Sequence, residues 1–402
     1  MESCKQNSYL TFKYNKSFGR HGWLRLTPAY SVKMVEHILK ELDYIPTCVL
    51  EPFSGTGTTE LVCANRGIPS FAYDINPFLV WLAKVKCSIY SPRIIKTFYK
   101  TAESIVQNVH TMPPSAYPPI YNIERWWPAK QLNYLARIKT SIKNVRNPQI
   151  SDLLQIAFCR LVITLSNASF NHVSTSFANS KKDITEFSED FGNNLFLSFC
   201  EMIVSTVKTQ PQVQPCIDKQ SAMFIPQQIR EKYDTIITSP PYPNRISYIR
   251  ELRPYMYWLD YIHSSSDASD MDWETVGGTW GSATSKLNSW NRKTNLLPNY
   301  LFDITDKIAN SDNKSSKLMA NYVLKYFDDM AQHVQSVYNT IMKGGTVHYI
   351  VGNSSFYNQT VPSDEIYKSI LQKVGFREAK SVIVRKRNCN KALYEYWISA
   401  RK

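Results

Sequence analysis

Two short stretches hold residue types suited to chemistry. The first is Glu51-Pro52-Phe53-Ser54-Gly55-Thr56-Gly57-Thr58, which follows the apolar run Cys48-Val49-Leu50. Its two glycines have no Cβ, so the backbone there can approach a ligand closely, as cofactor loops do at the carboxyl ends of parallel strands. A P-loop would need Gly-Lys-Ser/Thr, and a dinucleotide fingerprint would need a third glycine where Glu60 stands. Alone, the loop would read better as an ordinary strand-to-helix turn. Asp74 ends the next short apolar run, where a carboxylate accepts hydrogen bonds from both hydroxyls of a ribose. Its other reading is a helix N-cap within Asp-Ile-Asn-Pro.

The second stretch is Thr238-Ser239-Pro240-Pro241-Tyr242, directly after Tyr-Asp-Thr-Ile-Ile-Thr. Successive prolines remove two N–H donors and fix φ, leaving the Ser239 hydroxyl and nearby carbonyls as acceptors beside an aromatic ring. That set suits a planar ligand bearing an amino group. As a bare tetrapeptide it also reads as a turn or an extended recognition segment. Its place after an apolar strand, downstream of a glycine loop, favours the functional reading.

The elements that must position these residues follow from periodicity. Ser31 to Leu42 carries Val32, Val35, Ile38, Leu39 and Leu42 on one helical stripe. A strand ending at Glu51, a helix from Thr58 closed near Gly67, and a strand from Pro69 to Asp74 make a βαβ unit, hence a parallel sheet. Helical stretches follow at 93–109, 128–145, 150–165 and 193–207, with polar, irregular sequence separating the last two. The sheet resumes at 216–224 and at Tyr233 to Thr238, followed by a helix over 247–261. Residues 264–312 read as a long polar, Trp-containing loop, of the kind that is usually functional or disordered. A helix over 317–341, a strand over 345–352 and a helix over 363–374 come next. The tail pairs Ser-Val-Ile-Val-Arg-Lys-Arg with Ala-Leu-Tyr-Glu-Tyr-Trp-Ile-Ser-Ala as a hairpin.

Bulk properties narrow the partner. In 402 residues there are 47 Lys plus Arg against 33 Asp plus Glu, a formal net charge of +14. Such a field attracts polyanions, nucleic acid first among them. The 8 cysteines are scattered without Cys-x-x-Cys or nearby His spacing suited to zinc, and read as free thiols. No stretch approaches the ~20 apolar residues of a membrane span, and no signal peptide is visible. A cytoplasmic location is the expectation.

Together, EPFSGTGT, AYDINP and TSPPYPNRISYIREL resemble the amino-group DNA methyltransferases of restriction-modification systems. The serine in SPPY resembles their N4-cytosine branch rather than the DPPY or NPPY forms of N6-adenine enzymes. HGWLRLTPAYS resembles the segment that encloses the methionine end of the cofactor, and GGTVHYIVGNS the strand bordering the base pocket. Lys219-Gln220-Ser221-Ala222 sits where the family often has Gly-Asp-Ala, with Ser221 replacing the acid.

The resemblance implies an α/β, Rossmann-like S-adenosylmethionine-dependent methyltransferase fold: a mostly parallel central sheet, a terminal β-hairpin and a helical insertion. It divides the chain into a first core part at 1–87, a helical insertion at 88–212 that is the candidate target-recognition region, a core part with SPPY at 213–263, the polar insertion at 264–312 and the remaining core at 313–402. S-adenosyl-L-methionine, leaving as S-adenosyl-L-homocysteine, would be held by Tyr30, Glu51, Pro52, Phe53, Ser54, Gly55, Thr56, Gly57, Thr58, Asp74, Ile75 and Ser221. Catalysis would fall to Ser239, Pro240, Pro241 and Tyr242. Contacts to double-stranded DNA would come from Asn244, Arg245, Arg250, Arg292, Lys293, Arg385 and Arg387. No metal is expected, and a monomer functionally paired with a restriction endonuclease is. N6-adenine and RNA methylation are the rival readings. C5-cytosine chemistry would need a cysteine after a proline, and only Cys216 qualifies.

Overall fold

The computed structural model describes residues 10–24, 26, 29–169, 176–177, 187–278, 285–387 and 392–402. The start of the polar leader, Trp280 and most of the polar stretch after Leu165 lie outside these.

In chain order the elements begin with α1 (Phe12–Asn15), α2 (Val32–Glu41), β1 (Val49–Glu51), α3 (Thr58–Asn65), β2 (Ser70–Asp74) and α4 (Pro77–Cys87). A helical region follows: α5 (Pro92–Asn108), α6 (Ile123–Trp126), α7 (Ala129–Lys143), α8 (Pro148–Thr164), the two-residue strands β3 (Ala168–Ser169) and β4 (Ser176–Phe177), and α9 (Glu189–Val207). Next are β5 (Cys216–Lys219), β6 (Thr235–Thr238), α10 (Tyr248–Trp258), α11 (Ser265–Glu274), α12 (Asn299–Ala309) and α13 (Ser316–Thr340). Last come β7 (Thr346–Gly352), the ribbon β8 (Ser354–Phe356) and β9 (Gln359–Val361), α14 (Ser363–Val374), β10 (Arg377–Lys386) and β11 (Tyr394–Arg401).

One sheet has the order β10-β11-β7-β6-β1-β2-β5. Strands β5, β2, β1, β6 and β7 are parallel, while β11 runs antiparallel to β7 and pairs with β10 as the terminal hairpin. This is the expected Rossmann-like sheet. From β1 the chain moves outward to β2 and β5, then returns to β6 on the other side of β1. The switch point, where such sheets bind ligands, therefore lies between β1 and β6.

The period-2 alternation of side chains decides what packs on each face. Val49, Ile237 and Ile350 face Val32, Val35 and Ile38 of α2 and Val62 of α3. Their neighbours Leu50, Ile236, Val347, Tyr349 and Val351 face α13 and α14, including Val334, Val337 and Ile366. Each such fully buried aliphatic side chain contributes roughly 1.5–3 kcal/mol, which is why both faces must be covered.

The helical region forms a third body of core against α4 and α10. Trp258 of α10 is met edge-on by Trp127 and Phe158, each with ring centroids 5.6 Å away. Arg20, 4% exposed, locks the ends of α4 and α9 together. Its guanidinium donates to the carbonyls of Lys86, Ser88, Val207 and Thr209 and to Gln210 Oε1, at 2.6–3.1 Å.

Three sequence expectations change. The strand from Cys216 stops at Lys219: Gln220 N makes the last ladder bond, to the Asp74 carbonyl (3.1 Å), and the chain then turns, Phe224 N donating to the Ser221 carbonyl (3.1 Å). The stretch at 264–312 holds two helices. Ser264 and Asp267 close a capping box for α11, and α12 buries Leu301, Thr305 and Ile308 on one stripe. Asp74 is no helix cap: Asn76 caps α4, its side chain accepting from Phe78 N at 3.0 Å.

Candidate active site

A cavity of about 540 Å³ opens at the carboxyl ends of β1, β2 and β6, over the switch point. That is the size range of small-molecule and cofactor pockets. One end is walled by Tyr30, Pro52, Phe53, Gly55, Thr56, Asp74, Ile75, Leu79, Ser221 and Ala222. The other is formed by Ser239, Pro240, Pro241, Tyr242, Asn244 and Tyr248, with Arg385, Arg387 and Glu395 from the hairpin.

The glycine loop owes its course to buried polar groups. Gly57, at φ 73°, precedes the first turn of α3, and an added Cβ would lie 2.9 Å from Ala83 Cβ of α4. Glycine is therefore required for both conformation and packing. Glu51 is wholly buried beneath the loop. Its carboxylate accepts from Phe53 N (3.0 Å), Thr59 Oγ1 (2.7 Å), Tyr30 OH (3.2 Å) and the Thr238 hydroxyl. It thus fastens β1, α3, the Tyr30 segment and the strand before SPPY at one point. Burial pushes Glu51 up to about 7 despite those donors. Ser54, Gly57 and Thr58 lie behind the cavity wall with Glu51 rather than on it.

Asp74 lines the cavity. One carboxylate oxygen accepts from Gly55 N (2.9 Å) and the other from Asn76 N (2.8 Å), so it joins the glycine loop to the start of α4. Burial raises it to about 6. Of the described residues in HGWLRLTPAYS, Ala29 and Tyr30 reach the cavity, while Trp23, Leu24 and Leu26 are core.

Behind the loop sits a second buried acid. Glu60 is fully buried, and neither carboxyl oxygen makes a hydrogen bond among the described residues. Burial and the neighbouring Glu51 push it up to about 8. A carboxyl raised in the folded state stabilises fully only below its ordinary value of 4.5, and that contribution is lost as pH rises towards about 8. Glu60→Gln is therefore expected to raise the melting temperature by at least ~2 °C at the alkaline end of this window. The gain should shrink towards its acid end. Calorimetry across the window checks this, and a pH-independent gain contradicts it.

At the other end, Ser239 Oγ donates to the Ile350 carbonyl at 3.1 Å. This spends its proton and leaves its lone pairs as acceptors. The Pro240 carbonyl accepts no hydrogen bond among the described residues, whereas the Pro241 carbonyl is taken by Tyr326 OH at 2.7 Å. Tyr242 OH donates to Glu395 Oε1 (2.7 Å), and the Arg387 guanidinium lies over the Tyr242 ring, 4.9 Å from its centroid. Just past SPPY, Arg245 takes φ 60°, uncommon for a residue with a side chain, and its N–H is held by Tyr322 OH at 3.1 Å.

The structure thus gathers both sequence stretches around one cavity, with Asn244, Arg385 and Arg387 beside them. Arg245 and Arg250 lie in the chain next to it. Arg292, stacked on Phe302, and Lys293, whose N–H is bound by Asp328, do not line it. Cys216 is an exposed residue at the sheet edge outside the cavity. Sequence reasoning missed Asn76, Tyr248, Glu274, Val276 and Glu395. Only Glu395 carried a signal, an acid within an aromatic-apolar strand. Among the described residues no group of His, Cys, Asp or Glu is placed to hold a metal ion, and no helix is long and apolar enough to cross a membrane.

No family model matches the chain. It is 22% identical over 372 residues to the Type II methyltransferase M.MvaI of Kocuria varians, covering 86% of this chain and 80% of that one. It is 21% identical to the Type II methyltransferase M.AvaI of Nostoc sp., over 93% of this chain and 83% of the relative. A third relative, the Type II methyltransferase M.BsoBI of Geobacillus stearothermophilus, is 22% identical over 95% and 83%. Similar over most of its length to all three, and folded around a Rossmann-like sheet, this chain is a homologue of the Type II methyltransferases.

Proposed function

We propose that the protein transfers a methyl group from S-adenosylmethionine to the exocyclic N4 amine of a cytosine flipped out of double-stranded DNA, as the modification enzyme of a restriction-modification system. The observation that carries this is the single cavity joining Asp74 and the glycine loop at one end to the Ser239 hydroxyl and Pro240 carbonyl at the other. The fit of the cofactor rests on chemistry present there. Asp74 is a half-buried carboxylate suited to a ribose diol, Phe53, Ile75, Leu79 and Ala222 form an apolar wall for an adenine ring, and the acidic side chains at and beneath the glycine loop favour a sulfonium cation.

Bound, the cofactor supplies an electrophilic methyl group, so the chain's own task is alignment of the attacking amine. The lone pair of an exocyclic amine is delocalised into its ring. Acceptors on its two N–H bonds, the Ser239 hydroxyl and the Pro240 carbonyl, draw the nitrogen towards a tetrahedral, nucleophilic state. Tyr242 provides a stacking surface for the flipped base, whose extraction costs a few kcal/mol. The net charge of +14 favours the duplex, and Asn244, Arg245 and Arg250 beside SPPY supply contacts near the flipped base. The helical region at 88–212 is assigned as the target-recognition region.

The test is incubation with isotopically labelled S-adenosylmethionine and mixed-sequence duplex DNA, followed by nucleoside mass spectrometry. N4-methylcytosine is the expected product. N6-methyladenine would transfer the assignment to the adenine branch, and label in RNA alone would overturn both.

A further inference from the structure

We propose that Glu395 is a positioning residue that holds Tyr242 as a fixed stacking platform for the target base. The inference rests on the base-methylation reading and adds the hairpin to its machinery. Glu395 is 4% exposed and lies directly across from Gly352 in the pairing of β11 with β7. An added Cβ at Gly352 would come within 2.3 Å of Arg387 Nη1 and 2.8 Å of Tyr242 Cδ2. The glycine is thus what lets ring and guanidinium close against the strand. Arg387 covers one face of the Tyr242 ring and donates to the Asn353 carbonyl at 2.8 Å. Glu395 fixes the tip of the ring, accepting from Tyr242 OH at 2.7 Å.

Arg385 in turn holds the Glu395 carboxylate in place. Its Nε donates to Oε2 at 2.7 Å and its Nη2 to Oε1 at 3.1 Å, a two-pronged contact. Burial and the adjoining Glu395 raise the Tyr242 hydroxyl well above its ordinary range, so it remains the donor in this pair. The ring is then restrained at its tip and on one face before any base arrives. A base stacking on the other face need not order it.

The test is a double-mutant cycle with Glu395→Met, which keeps the side-chain length and removes the acceptor, and Tyr242→Phe, assayed with labelled S-adenosylmethionine and mixed-sequence duplex DNA. Tyr242→Phe keeps the stacking ring and deletes only the anchored oxygen, so it also serves alone should the Glu395 variant fail to fold. Each single change is expected to lower kcat/KM for DNA by about tenfold, and the pair together by no more than either alone, because both remove one interaction. Cofactor affinity by calorimetry should not move. Additive losses, wild-type rates in either variant, or a parallel fall in cofactor affinity would overturn the proposal. Wild-type protein that methylates no DNA would overturn the base-methylation reading itself, and this inference with it.

Discussion

Ser239→Ala is expected to slow methyl transfer to DNA by about 100- to 1,000-fold while leaving cofactor affinity unchanged, the size of effect seen when one pre-organised partner of a developing charge is removed. The direction follows from where the hydroxyl proton goes. Ser239 Oγ donates to the Ile350 carbonyl of β7, so towards the cavity it is an acceptor, the polarity an amine N–H requires. Alanine leaves the Pro240 carbonyl as the remaining acceptor and keeps the backbone course that the two prolines impose. The cofactor end of the cavity is formed by other loops and should not respond. Single-turnover rates with labelled cofactor, set beside calorimetric cofactor binding, separate the two effects. A matching loss of cofactor affinity would show that Ser239 supports the pocket as a whole instead of the amine.

Much of this architecture was legible because it is written locally. Alternating burial and short turns identify β1, β2, β6 and β7, and a glycine pair after an apolar strand marks the loop between β1 and α3. Much of what stayed hidden depends on contacts distant in sequence. Glu51 reads as the first residue of a ligand loop, yet its carboxylate is consumed by Phe53, Thr59, Tyr30 and Thr238, which only the folded sheet brings together. Arg385 and Arg387 read as cationic tips of an exposed turn, but β11 carries Glu395 back beside them and the strand pairing turns all three into the cavity. In the polar insertion, Ser/Asp richness obscured a capping box whose partners are three residues apart, together with the stripe Leu301, Thr305, Ile308. Glu60 looks like a missing glycine in sequence. In the fold it is a buried acid behind the loop.

Asp74→Ala is expected to weaken S-adenosylmethionine binding by about 100-fold or more, because hydrogen bonds to a charged acceptor contribute ~1.5–3 kcal/mol each and ~1.4 kcal/mol is a factor of ten. Truncation also releases Gly55 N and Asn76 N, loosening the loop that forms the rest of the site. The pH dependence gives a sharper check. Burial holds Asp74 at about 6, and the ionised carboxylate is the form that accepts from both ribose hydroxyls. Binding therefore favours the deprotonated protein. Affinity should be level above that value and fall as pH drops through it, approaching tenfold per unit. Asp74→Asn preserves shape and one acceptor oxygen but cannot titrate, so its affinity should start lower and lose that slope. Any slope it retains nearer neutrality belongs to Glu51, held at about 7 beneath the same loop. Calorimetric titrations of both proteins across this range decide the matter: identical pH profiles would remove Asp74 from cofactor recognition and leave it the structural role of joining the glycine loop to α4.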